Sequence, residues 1–334
     1  MLRRLLDHPI PLRISWFRHE LKLRWLRARL KIQGRKLVVI NLTEHMGDII
    51  ACEPVARQVR SLHPRDYIIW STKAVYAPLV ANHPCVDEVM AVFCLYEWIR
   101  LRRRNLFDQV YELHPSGRMC GVCHEPLENK AYAPEITLDN YYNHGSLLQV
   151  FSRCAGLPAL ADAPKVYLPP CVKKRIDGLN LPRKFIALHC TSNETTRDWT
   201  KDGWVKLVAR MRQEFNCPLV ELGLKPVLAE FGAINLCGKL EMLETAEVIS
   251  RSNLFIGVDS GLAHFANAAD IPGVVLLGHY RDFKNYCPFT GGYSDGSNAH
   301  LVHFDGPLRE MPFEDAWTAV HERWLLAYGA KVSA

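Results

Sequence analysis

Two successive series of short apolar runs, each alternating with amphipathic segments, dominate this sequence of 334 residues. The first series begins at the apolar run Lys36–Leu42 and the second at Lys184–His189. A poorly periodic stretch punctuated by prolines, from Pro158 to Pro182, separates them. Strands that alternate with helices in this way form parallel, doubly wound sheets. The pattern therefore predicts an α/β chain with two Rossmann-like domains and a cleft between them.

The same patterns set the expected segment boundaries. In chain order we predict an N-terminal arm (1–35), a first Rossmann-like domain (36–168), a linker (169–183), a second Rossmann-like domain (184–312) and a C-terminal helix (313–334). No apolar run approaches the ~20 residues that span a bilayer. The start of the chain also lacks the apolar segment of a signal peptide. We therefore expect a cytoplasmic protein.

The N-terminal arm is basic and amphipathic. Residues 1–36 hold eleven of the 41 lysines and arginines but only two of the 35 acids, so the body of the chain is not basic. Within residues 12–30, four large apolar residues recur at helical spacing: Ile14, Phe17, Leu21 and Trp25. Such a helix suits an anionic membrane surface, and it equally suits docking on its own domain with a solvated basic face. No nucleic-acid partner is expected, because such partners usually require basic residues spread over a folded face.

A strand–turn–helix–strand pattern runs from Leu254 to Leu277. Asp259 and Ser260 follow the first strand of this pattern, at the edge where open α/β sheets bind ligands. The amides of Ser260 and Gly261 open the helix and are suited to binding a phosphate. Serine is also a preferred N-cap, and an acid before a helix favours its dipole. Phosphate binding and simple helix capping therefore both fit these residues.

The loop after the first strand carries Met46, Gly47 and Asp48. Asp48 is a candidate general base, with Gly47 leaving the backbone open beside it. Asp48 also fits as an acid in a first helical turn, where the helix dipole would lower its pKa and weaken it as a base. Both roles stay open on this pattern.

A second polar loop follows the strand predicted at 184–189. It contains Thr191, Ser192 and Arg197 among further hydroxyl residues. Hydroxyls together with one guanidinium suit the recognition of a diphosphate. A loop rich in serine and threonine that caps the next helix is the alternative.

Eleven cysteines, an odd number, are spread along the chain and do not form the framework of a secreted, disulfide-rich domain. Reduced thiols packed as small apolar residues are the simplest interpretation. Cys120 and Cys123 have the spacing of a zinc or iron knuckle, to which Cys154, Cys171 or His114 would add ligands. Because no second cysteine pair has a defined spacing, we predict no resident metal and keep Cys120 and Cys123 as the candidate ligands.

Two common nucleotide motifs are missing from the sequence. It contains no Gly-x-Gly-x-x-Gly, which argues against a dehydrogenase that uses a dinucleotide. The segment Gly232–Leu240 imitates a P-loop, but its spacing is one residue too long and leucine stands where serine or threonine is needed. No organic cofactor is therefore predicted.

Taken in order, these motifs resemble those of glycosyltransferase family 9, the heptosyltransferases of lipopolysaccharide core assembly. The resemblance covers roughly residues 36–328. The motifs that carry it are a strand before Met46-Gly47-Asp48, a helix from His144 to Gly156-Leu157, Thr191-Ser192 with Arg197-Asp198-Trp199, and Val258–His264 followed by Ala268-Ala269 and Pro272. It implies a GT-B fold and inverting transfer of a sugar, typically heptose from ADP-heptose, to a hydroxyl of a lipopolysaccharide-core or related acceptor. The arm at 12–30 would hold such an enzyme near a membrane-borne glycolipid acceptor, at the inner membrane.

The resemblance also implies roles for individual residues. Asp48 would deprotonate the acceptor hydroxyl, with Met46 and Gly47 beside it. The implied donor-binding residues are Thr191, Ser192 and Arg197 on the diphosphate, Ser260, Gly261 and His264 completing the phosphate site, Asp259 near the sugar, and Leu240 at the adenine. Enzymes of this kind need no metal, because cations and helix N-termini stabilise the leaving diphosphate.

The chain departs from the family at Leu222–Pro226, where a Gly-Gly-Pro-x-Glu turn is common, and the difference bears on the nucleoside contacts. The basic arm and the cysteine pair are also atypical of the family. Two other functions are therefore kept as alternatives. One is a sugar-nucleotide enzyme of the same fold, such as an epimerase, and the other is a non-catalytic sugar-nucleotide-binding or scaffold protein.

Overall fold

The computed structural model describes residues 10–328 and divides them into two compact units between Ala161 and Asp162. Each unit contains one parallel sheet, which confirms the predicted pair of doubly wound α/β units. Within residues 10–328, no helix is both long and apolar enough to cross a membrane.

The first unit holds a four-stranded sheet in the order β3-β2-β1-β4. Its strands are β1 (Leu37–Asn41), β2 (Tyr67–Lys73), β3 (Glu88–Val92) and β4 (Gln109–Glu112). Its helices are α1 (Ile10–Ile32), α2 (Met46–Ala51), α3 (Glu53–Leu62), α4 (Ala77–Ala81), α5 (Leu95–Arg102) and α6 (Leu147–Cys154). The chain builds outward from β1 to β3 and then returns to place β4 on the other side of β1. The gap between the carboxyl ends of β1 and β4 is the first switch point.

Helix α1 is docked on its own unit through one face. Its buried leucines join the hydrophobic core formed by β1 and α5; they are Leu12, Leu23, Leu26 and Leu30. The Ser15 hydroxyl donates to the buried carboxylate of Glu97 at 2.8 Å, and His19 Nδ1 lies 2.7 Å from the same oxygen. Each buried leucine contributes about 1.5–3 kcal/mol relative to exposure, so docking outweighs the helix's own propensity. The docked alternative is thereby confirmed for this face.

The apolar stripe that the sequence singled out lies on the opposite face of α1 and is exposed. Phe17 retains 59% and Trp25 61% of their accessible surface, and Ile14 and Leu21 are also exposed. Helix α1 therefore has two apolar faces, and only one of them packs on the protein.

Three helices of the first unit differ from what the local sequence pattern indicates. The apolar residues from Ile49 to Leu62 recur at helical spacing, but the helix is broken at Cys52, where α2 ends and α3 begins with proline at its start. Helix α6 begins at Leu147 rather than at His144, because Gly145 adopts a positive φ and Ser146 caps the helix through the amide of Gln149. Helix α5 was not predicted, since its apolar residues are interrupted by the basic run at 100–104.

The second unit holds a six-stranded sheet in the order β10-β9-β8-β5-β6-β7. Its strands are β5 (Ile186–His189), β6 (Leu219–Glu221), β7 (Ile234–Asn235), β8 (Leu254–Val258), β9 (Gly273–Leu277) and β10 (Ala299–His303). Its helices are α7 (Pro170–Asp177), α8 (Lys201–Glu214), α9 (Met242–Ser250), α10 (Gly261–Ala268) and α11 (Phe313–Tyr328). The strand order is that of dinucleotide-binding folds, and it reverses between β5 and β8. The gap between the carboxyl ends of these two strands is the second switch point.

The segment expected as a linker, 169–183, contains helix α7, because proline is well tolerated at a first helical position and seven residues without glycine follow it. The predicted C-terminal helix is confirmed up to Tyr328, where it packs Trp317 and Val320 into the core of the second unit. The last six residues of that prediction, and residues 1–9 of the arm, lie outside the described part of the chain.

Candidate functional site

A buried polar network lies at the first switch point. Asn41, the last residue of β1, donates from Nδ2 to Glu112 Oε1 at 2.9 Å. Glu112 ends β4 and lies 2.8 Å from His114 Nδ1. His114 Nε2 lies in turn 3.2 Å from the hydroxyl of Thr43. This network fixes the two loops that leave the sheet here, and it uses both nitrogens of His114 (a residue considered above as a metal ligand).

Asp48 lies on the first turn of α2 and caps that helix. Its Oδ2 accepts a hydrogen bond from the backbone amide of His45 at 3.0 Å, and His45 Nδ1 is 3.6 Å away. Burial by itself would raise the pKa of Asp48, but the hydrogen bond and charge of His45, together with the charge of Arg118, lower it overall. The structure thus gives Asp48 the capping role and keeps it half-exposed and ionised at neutral pH. Its role as a base stays a prediction.

Three charged side chains surround the loop that carries Asp48. Glu44 pairs with Lys73, and its other oxygen lies 3.4 Å from Arg118. Arg118 Nη2 is also 3.3 Å from the imidazole of His45. Burial would raise the pKa of Glu44, but Lys73 and Arg118 lower it. The first switch point therefore presents two ionised carboxylates and two cations on the loops after β1 and β4 and at the end of β2.

Arg197 and Asp259 meet at the second switch point. Arg197 follows β5, Asp259 follows β8, and Arg197 Nη1 donates to Asp259 Oδ2 at 3.0 Å. The Tyr286 hydroxyl donates to the same carboxylate oxygen at 2.7 Å, and the guanidinium lies 4.8 Å from the ring centre of Tyr280. Burial would lower the pKa of Arg197, but the charge of Asp259 raises it overall. Within residues 10–328, the buried Nε of Arg197 finds no hydrogen-bond acceptor.

The loop that carries Thr191 and Ser192 is ordered by its own side chains. Asp198 accepts a hydrogen bond from the Ser192 amide at 2.6 Å, and the Ser192 hydroxyl donates to the carbonyl of Glu194 at 2.6 Å. Arg197 Nη2 donates to Asn193 Oδ1 at 2.7 Å. Thr191 and Ser192 are half-buried on this loop. Its internal bonds hold Arg197 in place, and diphosphate binding by the hydroxyls stays a prediction.

Ser260 caps α10, as its position in the sequence allowed. Its hydroxyl accepts a hydrogen bond from the Leu262 amide at 3.3 Å. Gly261 is the first helical residue, so its amide and that of Ser260 belong to the group that a helix leaves without internal partners. His264 is buried one turn further on, with its ring centre 4.7 Å from that of Phe289. The start of α10 lies directly after Asp259 and is therefore brought to the same strand end as Arg197.

Leu240 lies apart from this group. It follows β7, the edge strand, which is separated from β5 by β6. Leu240 is half-buried just before α9.

The turn after β6 is held against β5. The Leu222 carbonyl accepts a hydrogen bond from His189 Nδ1 at 2.8 Å. Gly223 has a positive φ, and a Cβ at this position would lie 3.1 Å from the His189 ring. The turn therefore needs glycine here, even though the sequence of Leu222–Pro226 departs from the family pattern.

The cysteine pair Cys120 and Cys123 has a different partner from those the sequence suggested. Cys94, which precedes α5, places its sulfur with theirs so that the three Sγ atoms lie within 4.8 Å of one another. A hydrogen bond from Cys94, opposed by burial, lowers the pKa of Cys120 overall, whereas the same contact and burial raise that of Cys94. Cys154 is buried elsewhere in the first unit and Cys171 lies in the second. Sequence spacing missed Cys94 because it lies 26 residues before the pair.

Several residues at the switch points were not found from the sequence. Arg118 and Lys73 lie far along the chain from Asp48, and Tyr286 follows Asp259 by 27 residues in an irregular stretch. The sequence contained one indication that such residues meet, and it came from the expected sheet topology. Side chains that follow neighbouring parallel strands meet at one sheet edge, but the strand order was needed to say which strands are neighbours.

Comparisons with known proteins support the resemblance to family 9. A sequence model of Glycosyltransferase family 9 (heptosyltransferase) matches residues 148–302. The chain is 24% identical to lipopolysaccharide heptosyltransferase 1 of Salmonella typhimurium, a match that covers 72% of this chain and 88% of that protein. The predicted resemblance is thereby confirmed.

Two solved structures share the fold. One is E. coli ADP-heptose lps heptosyltransferase II, with a TM-score of 0.62, 16% identity, and coverage of 87% of this chain and 99% of that one. The other is E. coli heptosyltransferase WaaC with ADP-2-deoxy-2-fluoro heptose, with a TM-score of 0.55, 14% identity, and coverage of 85% and 99%. The GT-B prediction is therefore confirmed at the level of the fold.

Proposed function

We propose that this chain, a glycosyltransferase of the heptosyltransferase family involved in lipopolysaccharide biosynthesis, transfers a heptose from ADP-heptose to a hydroxyl of a lipopolysaccharide-core acceptor with inversion. The observation that carries the proposal is the pairing of Arg197 with Asp259 beside the start of α10. A half-buried cation with a spare donor and the N-terminus of a helix form a site suited to a diphosphate leaving group.

The second switch point supports the donor half of the reaction. Asp259 orients Arg197, so a diphosphate would meet a guanidinium that is already held in place. The buried Nε and the amides of Ser260 and Gly261 would supply hydrogen bonds to phosphate oxygens. Thr191 and Ser192 would add hydroxyls, His264 would support the start of the helix, and Leu240 would pack against the base.

The first switch point supports the acceptor half. Inverting transfer requires a base that removes the proton of the acceptor hydroxyl as the glycosidic bond forms and the diphosphate leaves. Asp48 is half-exposed, and Met46 and Gly47 beside it are also accessible. Because its pKa is lowered, Asp48 is ionised at neutral pH and able to accept that proton, although it is a modest base. Arg118 and Lys73 would hold the surrounding loop while the charge on Asp48 changes.

The donor is tested by calorimetric titration of the wild-type protein with ADP-, UDP- and GDP-sugars. ADP-heptose is expected to bind tightest, since a structural relative was solved with an ADP-heptose analogue. Tighter binding of a UDP- or GDP-sugar would exclude heptose from ADP-heptose as the reaction. Incubation with donor alone, followed by product analysis, separates transfer from epimerisation, because only an epimerase converts the donor without an acceptor.

The exposed face of α1 supports a membrane-borne acceptor. Exposed basic residues flank the apolar row on both sides of the helix; they are Arg18, Lys22 and Arg29 on one side and Arg24 and Lys31 on the other. An apolar row bordered by cations is the arrangement of helices that lie in the plane of an anionic membrane. Each basic residue near such a surface contributes about 1 kcal/mol. We therefore assign this face to anionic lipid, which would place the enzyme at the surface of the inner membrane.

Vesicle sedimentation tests this assignment. The wild type is expected to bind phosphatidylglycerol vesicles and not phosphatidylcholine vesicles, with binding lost at high salt. The double variant Phe17→Gln, Trp25→Gln should bind at least about tenfold more weakly, because it loses two large apolar side chains from the lipid. The matched control is Leu325→Gln, Leu326→Gln, which changes two exposed leucines of α11. Equal vesicle binding by the two double variants would contradict a lipid partner. So would a wild-type dimer that becomes monomeric only in the α1 double variant.

A further inference from the structure

Three sulfur atoms converge in the first unit, and none of them belongs to a residue assigned to the transfer reaction. The Sγ atoms of Cys94, Cys120 and Cys123 all lie within 4.8 Å of one another. Cys94 and Cys120 are buried and Cys123 is half-buried. In a tetrahedral zinc site with Zn–S bonds of about 2.3 Å, neighbouring sulfurs are about 3.8 Å apart. The three thiols therefore need only a small contraction to bind one ion.

Cys120 and Cys123 lie on a tight turn between two paired segments. Met119 bridges to Pro126 in antiparallel fashion, and the Cys120 amide donates to the Glu125 carbonyl at 3.0 Å. The Cys120 carbonyl accepts from the His124 amide at 2.9 Å, and His124 has a positive φ. This geometry brings both cysteine side chains to the same side of the turn.

Cys94 lies at the start of a helix. It precedes α5 in extended conformation, and its carbonyl accepts a hydrogen bond from the Glu97 amide at 3.1 Å in the first turn of that helix. A helix N-terminus stabilises a thiolate, the form in which cysteine binds a metal. Cys94 and Cys120 belong to the hydrophobic core of the first unit and Cys123 packs against it, so a bound ion would be shielded from water on that side.

We propose that Cys94, Cys120 and Cys123 bind a single zinc ion as thiolates and join the turn at 117–126 to the start of α5. Three cysteines and one histidine are a common structural zinc set. The fourth ligand would approach from the exposed side of the turn, where Cys123 is half-buried and His124 is exposed. Binding releases the thiol protons, so zinc affinity falls as the pH falls.

The ion would also hold Arg118. This residue lies in the same paired segment as Cys120, where its carbonyl accepts from the Leu127 amide at 2.9 Å. Its guanidinium reaches Glu44 and His45, beside Asp48. Zinc would thus be a remote support for the loop that carries the predicted base. This consequence rests on the proposed function, whereas the metal site does not.

Metal analysis of the full chain, purified under reducing conditions with zinc in the medium, tests the site. One zinc per chain is expected after gel filtration. Replacement by cobalt should give the thiolate-to-cobalt absorption bands of a three-sulfur site. Cys94→Ser, Cys120→Ser and Cys123→Ser should each lose the ion, and the matched control Cys171→Ser, an exposed cysteine of the second unit, should keep it.

Chelation of the wild type avoids variants that fail to fold. Removal of zinc should lower the melting temperature and speed proteolysis between residues 114 and 130, and added zinc should restore both. Substoichiometric zinc with no cobalt bands, or a disulfide among the three cysteines in the reduced preparation, would overturn the site. Iron bound by the same cysteines would overturn the choice of zinc. If zinc binds but the chain transfers no sugar, the site stands and the proposed function fails.

Discussion

The two units place charged residues at the same topological position and pair them in opposite ways. At the first switch point, Asp48 is half-exposed and its carboxylate is bound by a backbone amide and a nearby imidazole. At the second, Asp259 is 4% exposed and is occupied by Arg197 and Tyr286. The first carboxylate is partly accessible to solvent, whereas the second is fixed as the partner of a cation.

This difference separates two acids that the sequence presents alike. Each follows a strand by a few residues and comes close to a helix start, so a pattern argument treats both as candidates for chemistry. The tertiary structure makes Asp259 a residue that orients Arg197 and leaves Asp48 as the accessible acid. A buried ion pair is costly to break by removing one member, and it is retained where it organises a site. We therefore expect substitutions at the two switch points to affect different steps.

The largest effect is expected for Asp48→Asn. The amide can still accept from the His45 backbone and preserve the cap, but it cannot take a proton. Transfer should fall by about 10²- to 10⁴-fold, the usual contribution of a general base. Donor affinity and melting temperature should stay near those of the wild type. Steady-state kinetics and calorimetry measure both, with Asp202→Asn, an acid on the first turn of α8, as the matched control. Unchanged transfer by Asp48→Asn would remove the base from the mechanism.

Arg197→Lys should weaken donor binding by about 10- to 100-fold, because lysine keeps the charge but loses the fork of donors. The change keeps a cation beside buried Asp259, so the fold should survive. Donor Kd by calorimetry is the measurement, and Arg251→Lys, which alters the pair of half-buried Arg251 with buried Glu247, is the control. If donor affinity is the same in both variants, the second switch point does not bind the diphosphate.

Arg118→Gln should change the pH dependence of transfer. Arg118 helps to lower the pKa of Asp48, so its loss raises that pKa. The acidic limb of kcat/KM should then move to higher pH, with a fall of no more than about tenfold at neutral pH. A pH–rate profile measures this, and Arg27→Gln, which removes a pair with Asp108, should leave the limb in place. A limb that moves to lower pH, or not at all, would contradict the electrostatic link.

The smallest effect compares two helix caps. Ser146 caps α6 in the first unit and Ser260 caps α10 in the second, each through its hydroxyl. Replacement by alanine should cost about 1 kcal/mol of stability at either position. Only Ser260→Ala should also weaken donor binding, by a few-fold, because only α10 starts at the proposed diphosphate site. Urea denaturation and calorimetry of both variants test this, and equal donor affinity would reduce Ser260 to a cap.

Much of the sheet framework could be read from local pattern. The apolar runs that became β1, β5 and β8 are continuous, and a parallel sheet covered by helices buries such runs on both faces. Helix ends were less predictable. The break at Cys52 and the late start of α6 depend on single residues and on capping that competes with helical periodicity.

The sequence by itself determined the two α/β units, the loops that carry Asp48, Arg197 and Asp259, and the resemblance to the heptosyltransferase family. These features depend on neighbours along the chain, where spacing and residue type are informative. Only the tertiary structure decided that Arg197 pairs with Asp259, that Arg118 reaches the loop of Asp48, that Cys94 joins Cys120 and Cys123, and which face of α1 is buried. The three contacts depend on strand order and packing, which bring together residues that the sequence places 20 to 100 positions apart. The buried face of α1 also depends on packing, because the helix has two similar apolar faces and the sequence does not say which one docks.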